Sequence, residues 1–219
     1  MIKKHTTTEI IAKEGWWYVF FSALFFLIAL FVGFLPWVFF FIMILTVYIY
    51  RNPERIPAED DKMSLLSPMD GKITDISKVR VKDGKEFLKL EIRKSVFNVI
   101  LLRSPISLTI TDTKRIHGLF LDTSSDLHKK IGEKAILTCK GEFADIVMII
   151  YAGMFNRKIE LFKTIGPLRF ASRLGSMIDG SMELLLPVDT RIKVSLGDEV
   201  KAGESVLGYF SYENILNEQ

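Results

Sequence analysis

The sequence predicts a mainly β protein, a β-rich sandwich or barrel-like domain preceded by an N-terminal transmembrane helical hairpin. Two observations support this fold class. Residues 15–50 contain no charged side chain, and from residue 72 onward short runs rich in β-branched and aromatic residues alternate with turn signals. With 219 residues, the chain has room for one globular domain and a membrane segment.

The uncharged segment is too long for one straight crossing of a membrane. As a continuous helix it would extend about 54 Å at roughly 1.5 Å per residue, whereas the hydrocarbon core is about 30 Å thick. Gly33 and Pro36 lie near its middle, where a turn needs such residues. We therefore predict a membrane anchor over 15–50, with helices over 15–32 and 37–50 joined by a turn at 33–36.

Basic residues flank the anchor on both sides: Lys3, Lys4 and Lys13 before it, and Arg51, Arg55 and Lys62 after it. Positive charge marks the cytoplasmic side of a membrane. The flanks therefore predict an even number of crossings, with residues 1–14 and a β-rich domain over 51–219 both on the cytoplasmic side of the cell membrane. A cleaved signal peptide is disfavoured, because no small-residue cleavage site follows the apolar stretch.

Strands are predicted from runs of β-forming residues at fairly even spacing, and one short helix is predicted over 125–130. The predicted strands are 86–93, 96–102, 108–116, 135–139, 146–151, 159–162, 184–186 and 206–210. Two stretches, 67–73 and 196–204, resemble biotinyl and lipoyl carrier domains, so hammerhead-like β features are expected. A carrier would need a lysine in a Met-Lys-Met or Asp-Lys-Ala context, and neither occurs.

Composition argues against two classes of function. The net charge of +3 is small, and no basic stripe with interleaved aromatic residues indicates a nucleic-acid partner. The single cysteine, Cys139, excludes an internal disulfide and a cysteine-based zinc cluster. We therefore predict no metal site.

Four segments of the chain, taken in order with a Gly-Ser pair near its C-terminal end, resemble the phosphatidylserine decarboxylase proenzymes of the short, membrane-bound kind. The resemblance covers most of the chain, and its specificity comes from the order and spacing of the segments. They are Arg-Asn-Pro-Glu-Arg at 51–55, Ser-Pro-Met-Asp-Gly at 67–71, Phe-Asn-Val-Ile-Leu-Leu-Arg-Ser-Pro at 97–105, and Ile-Ile-Tyr-Ala-Gly-Met-Phe-Asn-Arg-Lys-Ile at 149–159.

The Gly-Ser pair at 175–176 is similar to the family's processing segment, which reads roughly Gly-x-Ile-x-Phe-Gly-Ser-Arg-Val-Asp and precedes a strand and a proline. In this chain, residues 184–186 supply the strand and Pro187 the proline. The match leaves about four extra residues around 180–183. A second pair, Gly180-Ser181, lies within that insertion and is the alternative site.

The resemblance implies a self-made cofactor. A base would deprotonate Ser176, whose hydroxyl would attack the carbonyl of Gly175; elimination and hydrolysis would then leave a pyruvoyl group derived from Ser176. Chains 1–175 and 176–219 would stay together. The pyruvoyl group would serve as the electron sink for decarboxylation of an aminophospholipid, phosphatidylserine, to phosphatidylethanolamine at a phospholipid membrane. The resemblance leaves homo-oligomer formation open.

In the family, a histidine activates the serine and an aspartate orients the histidine. Asp70 and Ser176 fall on the matching positions, but the histidine position falls on Ile100, which cannot accept a proton. His117 matches a turn, and His128 lies in the predicted helix, from which it could reach the site in three dimensions. Two functions stay open: a divergent active decarboxylase, or a non-cleaving relative that binds lipid or regulates at the membrane.

Arginines are the candidates for substrate binding, because a guanidinium pairs with phosphate or carboxylate through two parallel hydrogen bonds. The candidates are Arg103, which lies in a matched segment, together with Arg169 and Arg173. Arg51 and Arg55, next to the anchor, are expected to meet lipid headgroups.

Overall fold

The computed structural model describes residues 10–59, 61, 63–80, 84–123, 125–156 and 158–211, and confirms a mainly β protein. The chain divides into two compact units, Met1–Glu54 and Arg55–Gln219. Three of the flanking lysines, Lys3, Lys4 and Lys62, lie outside the described residues.

The N-terminal unit contains two apolar helices, α1 (Trp16–Val32) and α2 (Pro36–Ile49), preceded by a short 3₁₀ turn at Lys13–Gly15. Gly33 ends α1 in the left-handed conformation, with φ of 72°, and proline occupies the first position of α2. The helical stretch Lys13–Val32 is long and apolar enough to cross a membrane, whereas α2 is shorter. A crossing by Lys13–Val32 is supported only by its length and composition, and α2 is too short to meet the same criterion. The anchor with two crossings therefore stays a prediction.

The second unit consists of short and medium strands with one short helix, α3 (Asp126–Ile131). Its strands are β1 (Ser64–Leu66), β2 (Gly71–Arg80), β3 (Glu86–Lys94), β4 (Leu101–Arg103), β5 (Leu108–Ile116), β6 (Lys134–Gly141), β7 (Asp145–Ala152), β8 (Glu160–Leu161), β9 (Gly166–Leu168), β10 (Arg173–Ser176), β11 (Gly180–Pro187), β12 (Arg191–Ile192), β13 (Glu199–Val200) and β14 (Val206–Tyr209).

The large sheet places β11 at its centre. Its eight strands follow the order β13-β2-β3-β11-β7-β6-β5-β9, with antiparallel pairing throughout. Two three-stranded sheets, β1-β14-β12 and β4-β10-β8, complete the unit. Alternate residues of β11, namely Met182, Leu184 and Leu186, point into the hydrophobic core, so Ser181 and Glu183 lie on the opposite face of the sheet.

Two strand predictions differ from the structure. The strand predicted over 96–102 is a turn in its first part, where the Asn98 side chain accepts a hydrogen bond from the Ser95 main chain at 2.9 Å. Strand structure begins only at Leu101, with β4, so the prediction holds for residues 101 and 102 alone. The strand predicted over 184–186 begins earlier, at Gly180, since β11 pairs with β3 and β7 from that residue onward. The apparent insertion around 180–183 is therefore part of the central strand.

Cys139 provides a simple check of the packing. It lies fully buried in β6, and burial, aided by the charge of Asp145, raises the pKa of its thiol to about 12. We expect iodoacetamide at pH 8 to alkylate Cys139 in denatured protein and to leave the folded protein unmodified, as read by intact mass. Rapid alkylation of the folded chain would contradict this placement of β6.

Candidate functional site

Asp70, between β1 and β2, is held in a buried ion pair. Both of its carboxylate oxygens contact the Arg55 guanidinium, with Nη2 to Oδ2 at 2.7 Å, and the side chains are 7% and 8% exposed. The main-chain N–H groups of Ala202 and Val99 also donate to it, at 2.9 and 3.3 Å. Burial opposes ionisation of Asp70, but these partners outweigh burial and hold its pKa below the usual value. Arg55 is thus buried against Asp70, so the expectation that it meets lipid headgroups was wrong.

The predicted Ser176 ends β10, a strand bordered by β4 and β8. Ser176 lies opposite Leu101 on β4 and Glu160 on β8, and a side chain at Gly175 would overlap the Glu160 carbonyl. The N–H of Met177 donates to the carbonyl of Ile100 at 2.9 Å. The backbone segments of Asp70, Ile100 and Ser176 are therefore neighbours.

A base for Ser176 is not evident. The side chain at position 100, where the resemblance expects a histidine, is that of a fully buried isoleucine. Among the described residues, no side chain forms a hydrogen bond with the Ser176 hydroxyl.

The second Gly-Ser pair opens β11. Ser181 is fully buried and lies opposite Arg93 on β3 and Tyr151 on β7. Its Oγ is 3.3 Å from Nε2 of His128. The structure therefore brings the second serine, which the sequence placed as the alternative, into contact with a histidine.

His128 reaches the sheet because α3 lies across the face opposite the core. Ser125 caps α3 with its hydroxyl, which accepts from the N–H of Leu127 at 3.3 Å. The chain after α3 is tied to the sheet where the N–H of Ala152 donates to the carbonyl of Glu133 at 3.0 Å. The imidazole is fully buried, with its ring centroid 5.5 Å from that of Tyr151.

Charged groups surround this contact. Lys129, next in the helix, pairs with Glu91 at 2.6 Å and with Glu183 at 2.8 Å, and the Tyr151 hydroxyl donates to Glu183 at 3.1 Å. Burial would lower the pKa of Lys129, but the two carboxylates outweigh it and raise that pKa. Burial also raises the pKa of Tyr151, and the charge of Glu183 adds to that shift.

Burial lowers the pKa of His128 below its usual value. The main chain of Leu121 opposes part of this shift, while the positive charges of Lys129 and Arg93 add to it. Its Nδ1 is buried without a well-formed hydrogen bond among the described residues. The imidazole is therefore neutral at pH 7 and able to accept a proton.

The loop between the two Gly-Ser pairs is fixed by the segment after β7. The N–H of Ile178 donates to the Asn156 side chain at 3.0 Å, and the N–H of Gly153 donates to the carbonyl of Asp179 at 3.1 Å. Asp179 is buried, and burial raises its pKa. The structure thus holds both sides of the Gly180–Ser181 bond in place.

Two of the three candidate arginines lie together. Arg103 on β4 is the cross-strand partner of Arg173 on β10, and its guanidinium donates to the carbonyl of Ala171 at 3.2 Å. Burial, with the charges of Arg55 and Arg173, lowers the pKa of Arg103. Arg169 is exposed, and its carbonyl closes a turn with the N–H of Ser172.

Comparisons with known proteins match most of the chain. The family model described as phosphatidylserine decarboxylase matches residues 42–208. A relative from Geotalea daltonii, named phosphatidylserine decarboxylase proenzyme, is 32% identical over 204 residues, covering 90% of this chain and 95% of the relative. The resemblance drawn from the sequence motifs is confirmed.

Other relatives carry the same name. The protein from Paraburkholderia phymatum is 31% identical, with 90% of this chain and 96% of the relative covered. The protein from Geobacter metallireducens is 33% identical, with 84% and 83% covered. No solved structure matches the chain.

Proposed function

Because the chain belongs to the phosphatidylserine decarboxylase family, we propose that it converts phosphatidylserine to phosphatidylethanolamine with a pyruvoyl group made from one of its own serines. The observation that carries this proposal is the match over residues 42–208, which includes both Gly-Ser pairs. The relatives are named as proenzymes, in agreement with a chain that must first be processed.

The pyruvoyl group would come from a Gly-Ser bond at one of two positions. The bond predicted from the sequence is Gly175–Ser176. Asp70 is connected to it through the main chain, since Asp70 accepts from the N–H of Val99 and the next residue, Ile100, accepts from the N–H of Met177. The alternative is Gly180–Ser181. Either cut leaves nearly all of β11 in the C-terminal chain and its partners β3 and β7 in the N-terminal chain, so the large sheet hydrogen-bonds the two chains to each other. We therefore expect the two resulting chains to stay together.

Substrate binding is proposed for the paired arginines. Arg103 and Arg173 place two guanidinium groups on adjacent strands, a pattern suited to a phosphate or carboxylate. Arg169, on the exposed turn, is a further candidate.

A bound pyruvoyl group supplies a carbonyl that takes up the electron pair left when CO₂ departs.

We propose that the N-terminal anchor holds the domain at the cytoplasmic face of the cell membrane. The apolar helix at Lys13–Val32 supports attachment to a bilayer, and basic residues on both flanks favour the cytoplasmic side. Such an anchor would keep the site close to a phospholipid substrate that does not leave the membrane.

The function is tested with the full chain in detergent micelles that contain phosphatidylserine labelled in its carboxyl group. We expect release of labelled CO₂, formation of phosphatidylethanolamine, and loss of both after treatment with phenylhydrazine, which captures reactive carbonyl groups. Micelles with phosphatidylcholine in place of phosphatidylserine are the control. A single 25.1 kDa chain that releases no CO₂ would overturn the proposal and favour a non-cleaving lipid-binding relative.

A further inference from the structure

We propose that Ser181 and His128 are the self-processing pair of this chain: His128 accepts the hydroxyl proton of Ser181, and Ser181 attacks the carbonyl of Gly180. This inference rests on the proposed function and deepens it. It assigns the cleaved bond and supplies the base that is missing where the family places its histidine.

The geometry of the contact supports a nucleophile and its base. A base must come within about 2.6–3.2 Å of the atom whose proton it removes, and this distance is often longer before reaction. Nε2 of His128 lies 3.3 Å from Oγ of Ser181, just beyond that range. Both side chains are fully buried, so water does not compete for the hydroxyl. The Ser176 hydroxyl, by contrast, has no hydrogen-bonding side chain among the described residues.

The backbone at Gly180 is also suited to cleavage. Gly180 has φ of 149°, and a Cβ there would overlap the carbonyl oxygen of Tyr151. A residue with a side chain would therefore be strained and sterically excluded, whereas glycine leaves its carbonyl carbon open to attack. The bond lies at the first residue of β11, where the loop over 177–179 enters the central strand.

Spacing within the chain points to the same bond. If Gly175 takes the first glycine of the pattern Gly-x-Ile-x-Phe-Gly-Ser, then Gly180-Ser181 falls on its Gly-Ser pair without a gap. The strand and Pro187 then follow Ser181 directly within β11. The four extra residues that the Ser176 assignment requires are no longer needed.

The reaction balances without an oxidant or reductant. As Oγ of Ser181 bonds to the Gly180 carbonyl carbon, its proton passes to Nε2 of His128; the C–N bond then breaks, and the nitrogen takes that proton, so that an ester replaces the amide. The Ser181 α-proton is then lost to solvent, and the Gly180 carboxylate departs with the Cβ–O electron pair, which leaves a dehydroalanine. One water adds and one ammonia leaves, which gives a pyruvoyl end at position 181 and a chain 1–180.

The charges facing His128 set the pH range of this step. Lys129 and Arg93 present positive charge, Glu91 and Glu183 present negative charge, and Tyr151 is neutral. Since the pKa of His128 is lowered, its ring stays neutral at pH 7 and becomes protonated only below its ordinary value near 6.5. Chain cleavage should therefore be constant near neutrality and slow as the pH falls below about 6.5.

The test uses full-length protein made by cell-free expression in the presence of detergent, and it measures the rate of chain cleavage. We expect the wild-type chain to be cut between 180 and 181, and His128→Ala to slow the cut by about 10²–10⁴-fold, the range for loss of a general base. Added imidazole should restore part of the rate by entering the space left by the ring. His117→Ala is the matched control, because His117 is 87% exposed and pairs with Glu133.

A folding defect is separated from a chemical defect by His128→Gln, which keeps most of the volume and removes the base. We expect this variant to melt close to wild type and to remain uncut. Normal cleavage in His128→Gln, or a cut between 175 and 176, would overturn the inference and leave the proposed function intact. A wild-type chain that is never cut would overturn both.

Discussion

Replacing Ser181 with alanine is expected to abolish both chain cleavage and decarboxylation, leaving one 25.1 kDa chain. Alanine retains the strand and its pairing with β3 and β7 but removes the atom that attacks Gly180. The same serine is proposed to become the pyruvoyl group, and alanine cannot form one. The variant should therefore stay inactive even after long incubation. Intact mass and release of labelled CO₂ from phosphatidylserine measure the two losses on one preparation.

Ser195→Ala is the matched control, since Ser195 is an exposed serine in the same C-terminal part of the chain. It should be cut and active like wild type. The outcome that contradicts the assignment is a cut and active Ser181→Ala together with an uncut Ser176→Ala. That result would restore the bond predicted from the sequence and would show that Ser176 finds a base by another route.

Replacing Asp70 with alanine is expected to lower the free energy of unfolding of the β domain by about 3–5 kcal/mol, the usual cost of leaving one partner of a buried ion pair alone. The Arg55 guanidinium would stay buried without its carboxylate, and the N–H groups of Ala202 and Val99 would lose their acceptor. Urea unfolding of the full chain in detergent, followed by circular dichroism, measures the change.

The control is the double variant Arg55→Met, Asp70→Leu, which removes both charges and should be less destabilised than Asp70→Ala. The contribution of the pair also has a defined pH range. Because the pKa of Asp70 is lowered in the folded state, its stabilisation is present above the ordinary value near 3.9 and is lost as the pH falls through the lower folded pKa. An Asp70→Ala protein as stable as wild type at pH 7 would show that Arg55 finds water or another acceptor.

The fold class could be predicted because the strands that form the core carry the β-branched and aromatic residues that sheets favour. Strands β5, β6 and β7 fall close to their predicted positions for this reason. By contrast, β2 was missed, since Lys72, Thr74 and Lys78 on its exposed positions dilute the apolar signal. Helix α3 was predicted at 125–130 and found at Asp126–Ile131, where the Ser125 cap marks its start.

The candidate site was only partly accessible from the sequence. The two Gly-Ser pairs are local patterns, so the sequence shows both. Which serine has a base within reach depends on the side chains that contact it in the folded protein. His128 and Ser181 are 53 residues apart, and their contact exists because α3 folds over the face of β11. No short-range spacing signals such a contact. The pairing of Arg55 with Asp70 was missed for the same reason, since proximity to the anchor suggested lipid instead.

The most direct test of the central claim is the intact mass of the small chain, measured before and after reaction with phenylhydrazine. A self-processed decarboxylase of the kind proposed predicts a small chain that runs from position 181 to 219, resists N-terminal sequencing, and gains the mass of one hydrazone. A small chain with an ordinary amino end, or an uncut chain of 25.1 kDa that gains nothing, would contradict it.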